Sequence, residues 1–198
     1  MKLVPVFITV IAGFIATGKA LSCNTCKAFA PDCIGESCEC KNGEDTCAKV
    51  IEYNTVYDDL IITVKKGCLN GNMTCGNYYG LDTYGFYLDI YTECCTGDNC
   101  NCGLIEVPWK NMTENGYQCD SCFAQDSLNC TQKPMKCTGN KTSCLSYNGK
   151  ASRPGKAIRD YAFSGCATPE SCEVAMRYLI GTAAYNPNGL SCKDALKI

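Results

Sequence analysis

Histidine is absent from all 198 residues. That excludes a Ser-His-Asp or Cys-His nucleophile, a histidine general base and a Cys/His zinc site. A P-loop, a dinucleotide fingerprint and a calcium loop are also missing. No catalytic residue, no metal and no cofactor is therefore expected, and the chain does not read as an enzyme. An excess of basic charge is lacking too, with 18 Lys and Arg against 20 Asp and Glu. Such a balance gives no footprint for nucleic acid or an anionic membrane surface. Carboxylate pairs occur at Glu44-Asp45 and Asp58-Asp59, in polar stretches where solvated charge is the expectation.

Long apolar runs are scarce. One stretch, Leu3 to Ala16, follows Lys2 and leads to the small residues before Ala20. That order of charged, apolar and cleavable regions reads as a secretory signal peptide over residues 1–20. The run is too short to cross a bilayer, which takes about 20 apolar residues. No second span follows, and the tail from Leu190 to Ile198 is polar, without the hydrophobic segment that directs a glycolipid anchor. A secreted, extracellular protein without a membrane anchor is expected.

What the chain does have is cysteine. All 20 lie after Ala20, about 11% of the remaining residues. That density marks a disulfide scaffold in an oxidising compartment. The cysteines fall into two sets, each opening with C-x-x-C. From Cys26 the steps to Cys33, Cys40, Cys47 and Cys68 are 7, 7, 7 and 21 residues; from Cys122 the steps to Cys130, Cys137, Cys144 and Cys166 are 8, 7, 7 and 22. The agreement indicates an internal duplication. Domains are expected at 21–102 and 117–198, with residues 103–116 as a turn-rich linker. The single tryptophan, Trp109, lies in that linker and is expected to pack between the modules. Four-cysteine zinc is formally open to such a set, but in a secreted chain disulfides are the stronger reading.

Between cysteines the signals are for strands. Val50 to Tyr57, Leu60 to Val64 and Tyr84 to Tyr91 are rich in β-branched and aromatic residues. In the last of these, Tyr84, Phe86, Leu88 and Ile90 alternate with Gly85, Tyr87, Asp89 and Tyr91, so the two sets point to opposite faces. An all-β, disulfide-rich fold follows, with cross-links supplying part of the stability that modules of about 80 residues cannot draw from a core alone.

C-x-x-C at Cys23 and Cys26, Cys94-Cys95, and Cys100-Asn101 together resemble the lymphocyte antigen-6/urokinase-receptor family of three-finger domains, the snake-toxin-like fold. In that family the final Cys-Asn closes the palm through the asparagine side chain. The resemblance implies the pairs Cys23–Cys47, Cys26–Cys33, Cys40–Cys68, Cys75–Cys94 and Cys95–Cys100, leaving Cys38 and Cys102 to pair with each other. The second module lacks the Cys-Cys and Cys-Asn ending; its implied pairs are Cys119–Cys144, Cys122–Cys130, Cys137–Cys166 and Cys172–Cys192. A complete module followed by a truncated one resembles the gamma-type phospholipase A₂ inhibitors. Glu44-Asp-Thr-Cys47, Glu114-Asn-Gly-Tyr-Gln-Cys119 and Cys192-Lys-Asp-Ala match that branch as well. The same layout is similar to sodefrin-precursor-like courtship pheromones, and Ser191 to Lys197 resembles their short peptide core. The resemblance implies a protein partner, either a secreted phospholipase A₂ or a chemosensory receptor, and homo-oligomers are compatible with it.

Two stretches suit recognition. The run from Asn77 to Tyr87 sets Tyr78, Tyr79, Tyr84 and Tyr87 beside glycines, and tyrosine gives large contact area at little rotamer cost. Packing over the sheet is the competing account of the same residues. Lys150, Arg153, Lys156 and Arg159 surround Pro154-Gly155 in the expected middle finger of module two, with Arg153 and Lys156 at its tip. Acceptor sequons for glycans occur at Asn72, Asn111, Asn129 and Asn140.

Overall fold

The computed structural model describes residues 20–70, 75–107, 110–174 and 178–198. Residues 1–19, Asn72 and Trp109, on which expectations were placed, lie outside the described residues. The first module contributes β1 (Ser22–Ala28), β2 (Glu36–Glu39), β3 (Thr46–Val56), β4 (Asp59–Leu69), β5 (Tyr78–Asp82) and β6 (Phe86–Cys95). The second contributes β7 (Glu114–Gln125), β8 (Lys133–Thr138), β9 (Ser143–Ser152), β10 (Arg159–Ala167) and a short helix α1 (Pro169–Val174). It ends in β11 (Ala183–Ala184), β12 (Leu190–Asp194) and β13 (Leu196–Lys197). The fold is all-β, as tandem three-finger domains require.

Hairpins β1–β2, β3–β4 and β5–β6 are the three fingers of module one. Hairpins β7–β8 and β9–β10 are the first two of module two. Two expected boundaries shift. β7 starts at Glu114 and takes in Glu114–Gly116, which composition had assigned to the linker. β6 starts at Phe86, because Gly85 takes a φ of 104° and places Tyr84 in the turn before the strand.

Nine disulfides tie the palms: Cys23–Cys47, Cys26–Cys33, Cys40–Cys68, Cys75–Cys94, Cys95–Cys100, Cys119–Cys144, Cys122–Cys130, Cys137–Cys166 and Cys172–Cys192. The expected Cys38–Cys102 bond needs correction, since both are exposed free thiols. The side chain of Asn101 is fully buried against β1 and β3, and the chain turns Cys102 outward immediately after it. Cys38 lies on β2, an edge strand exposed along its whole length. Sulfurs of Cys23, Cys40 and Cys68 crowd together, and those of Cys119, Cys137 and Cys166 do the same in module two. Every one of these six is in a disulfide, so neither group offers a thiolate to a metal.

The modules share one sheet and one core. β5 of module one pairs with β10 of module two through Leu81↔Ala167 and Asp82↔Cys166. Val56, Leu81 and Phe86 pack in the same buried cluster as Leu145 and Ala167. Each large apolar side chain so buried contributes about 1.5–3 kcal/mol. Separating the modules would expose all of them.

Candidate functional site

The middle finger of module one ends in a two-residue turn, Tyr57-Asp58, between β3 and β4. Tyr57 has a φ of 52°, a conformation that bulky residues rarely take. Two contacts hold it there: its N–H donates to the Gly85 carbonyl at 2.8 Å, and its ring meets Phe123 edge-on at 5.6 Å. Even so, Tyr57 remains 65% exposed. An exposed aromatic side chain fixed by neighbours from two fingers has little ordering entropy left to lose on binding.

Around it the fingertips converge. Asp59 and Leu60 follow Tyr57, and both are exposed. Lys156, from the middle finger of module two, brings its Nζ within 3.7 Å of Asp59 Oδ2. Phe29, exposed at the first fingertip of module one, lies against Gly155. Exposed Tyr84 donates its hydroxyl to the Pro134 carbonyl at 2.8 Å, while its N–H donates to Ser121 Oγ. Phe29, Tyr57, Leu60, Tyr84 and Lys156 thus form a rim drawn from both modules. Aromatic anchors beside charge are the usual carriers of protein-binding energy.

Four expected contact residues sit away from the rim, Arg153 and Tyr79 buried and Tyr78 and Tyr87 half-buried. Arg153 is only 8% exposed. Its Nε donates to Asn54 Oδ1 at 2.6 Å, Nη1 to Asp59 Oδ2 at 2.7 Å, and Nη2 to the carbonyls of Asn54 and Asp59. That fork docks the finger of module two onto module one, so Arg153 positions the rim instead of touching a partner. The Arg153 guanidinium holds the Asp59 carboxyl below the usual carboxylate range, with Lys156 adding a smaller effect. Tyr79 is 4% exposed and stacks on Tyr178 at 4.9 Å.

Tyr78 and Tyr87 belong to a charge cluster at the module junction. Tyr78 donates its hydroxyl to the Asp89 carboxylate. Burial first, then the adjacent Asp89, pushes that phenol far above its ordinary value. Lys110 bridges Asp82 at 2.6 Å and Asp89 at 3.1 Å, and lies 5.2 Å from the Tyr87 ring centre. Burial pulls the Lys110 ammonium down, but Asp89 and Asp82 outweigh it, so it titrates above the usual lysine value. Lys141, almost wholly buried, pairs with Asp82 at 3.1 Å. Breaking such a pair would strand a buried charge, which makes the junction stiff.

A further anchor had no signal beyond an acid within a strand. Glu52 on β3 is fully buried, and its carboxylate accepts the backbone N–H groups of Ile180, Gly181 and Thr182 at 2.8–2.9 Å, together with the Thr182 hydroxyl. Charge-assisted bonds of this kind pin the strap 178–184 of module two over module one. Among the sequons, Asn111, Asn129 and Asn140 are all exposed.

A family model described as the u-PAR/Ly-6 domain matches residues 19–103 and 115–186. The chain is similar to phospholipase A2 inhibitor NAI of Notechis ater, at 28% identity over 84% of this chain and 83% of that one. It is 26% identical to phospholipase A2 inhibitor LNF1 of Lachesis muta muta over 93% and 92% of the two chains. Phospholipase A2 inhibitor PIP of Malayopython reticulatus is 25% identical over the same shares, 93% and 92%. The crystal structure of mouse TEX101 aligns over 89% of this chain and 99% of its own at 16% identity, with a TM-score of 0.37.

Proposed function

Since the chain belongs to the u-PAR/Ly-6 domain family, we propose that it is a secreted protein-binding inhibitor whose target is a secreted phospholipase A₂. The observation that carries this reading is the fingertip rim, in which exposed Tyr57 and Leu60 flank Asp59, Lys156 of module two reaches Asp59, and Phe29 lies against Gly155. A rigid, aromatic and charged surface of this kind suits masking another protein. The names of the relatives supply the class of target. Glycans on Asn111, Asn129 and Asn140 would mark faces left in solvent.

The pheromone alternative rests on the tail. Its residues pair as β12 with β9 and β13 with β7, and Cys192 is bonded to Cys172. Releasing a peptide from that tail would dismantle two strand pairings, which favours the whole folded chain as the active species.

The test is hydrolysis by several secreted phospholipases A₂ in the presence of the purified, fully oxidised chain. Saturable inhibition of at least one enzyme at micromolar concentration is expected. Full activity of all of them at micromolar excess overturns the proposal.

A further inference from the structure

The core shared by the modules is not filled. A cavity of about 80 Å³ lies between the apolar face of β5–β6 and the facing side of β9–β10. Rings of Phe86, Phe123, Phe163 and Tyr147 make its walls, with centres 5.1–5.7 Å apart from ring to neighbouring ring. Leu179, Thr182 and Ala184 from the strap roof it, and these residues are half-buried. The strap is the segment pinned by Glu52.

Polar groups at the edge of the cavity are already engaged. Asn54 donates its amide to Thr182 Oγ1 and accepts from Arg153 Nε. The Tyr147 hydroxyl donates to the Lys150 carbonyl, and Ser171 is bonded to Thr168. A buried water needs two to four polar partners, and these walls offer few that are not already engaged. A charged group would lose its hydration there without compensation. Hydrocarbon loses nothing. An apolar cavity of about 150 Å³ takes up benzene or xenon. At roughly half that volume, this one accommodates a short alkyl group, or a single ring once the half-buried roof gives a little.

We propose that this cavity is a binding site for the alkyl or aryl end of a small, lipid-like molecule, with the strap as its roof. The site is distinct from the exposed fingertip rim, although Phe123 and Arg153, which hold that rim, also line it.

Xenon and benzene are the probes, titrated into the full oxidised chain and followed by amide NMR shifts. Saturable shifts confined to residues flanking Leu145, Phe163 and Leu179 are expected. Ala151→Leu, which fills the space from β9, should weaken benzene binding at least tenfold without lowering the melting temperature. If that variant does not fold, Ala184→Leu fills the same space from the strap. Glu52→Gln should speed benzene exchange several-fold by loosening the roof. Absence of saturable shifts with both probes, or unchanged benzene affinity in the folded filled variant, overturns the proposal.

Discussion

The two modules close their palms in different ways. In each, the first and third strands are separated by the fourth in sheet order, β3-β4-β1 and β9-β10-β7, and a disulfide spans the gap. Module one adds a side chain: Asn101 exchanges hydrogen bonds with the backbone of Asn24 on β1 and donates to Ala48 on β3, at 2.9–3.1 Å. Module two has no such asparagine. Its tail returns as backbone, β12 on β9 and β13 on β7, with buried Ala195 between them packed on the disulfides. The first and third strands of each palm are thus bridged, by an amide side chain in module one and by a returning chain in module two.

Removing each bridge separates these solutions. Deletion from Leu190 onward should be the most damaging, because it loses two strand pairings and the Cys172–Cys192 loop. The loop alone contributes about 3 kcal/mol in the chain-entropy model. Urea unfolding should show loss of cooperative folding in module two. Asn101→Ala removes three hydrogen bonds to the backbone of module one, one of them buried, and should cost about 3 kcal/mol in the same assay. Replacing the junction fork by Arg153→Met should cost about 2 kcal/mol, because the Asn54 Oδ1 and backbone carbonyl lose their donor while Asp59 regains solvent. Hydrogen exchange should then rise on both middle fingers and leave the palms protected.

Acidity and alkalinity give the smallest effects. Asp59 ionises more readily folded than unfolded, so its contribution is complete above the unfolded value of about 4 and lost as pH falls through the lower folded value. Asp59→Asn should flatten that part of the acid limb. Lys110 behaves in the opposite sense. Its contribution is complete below about pH 10.4 and lost as pH rises through the higher folded value. Lys110→Met should flatten the alkaline limb of melting temperature against pH.

Cysteine spacing and strand alternation made the two-module plan legible, because covalent reach and a two-residue period are local properties. The junction was not. Arg153 reads as a solvent-facing fingertip because its partners, Asn54 and Asp59, lie 99 and 94 residues earlier. Tyr57 is one aromatic among many until Gly85 and Phe123 close on it. Glu52 looks like a strand's solvent-side acid, yet β3 is buried on both faces and the backbone of a distant strap meets its charge. Asp59 was legible as turn charge, but not as one half of a clasp.

The proposed function requires fingertips from both modules to act as one rigid surface on a phospholipase. Inhibition by the native chain, compared with the Tyr57→Ala/Lys156→Glu double variant, tests it most directly. At least a thirtyfold rise in the inhibition constant, at an unchanged melting temperature, is the predicted result, about 2 kcal/mol of binding. Equal inhibition by the two folded proteins would contradict it.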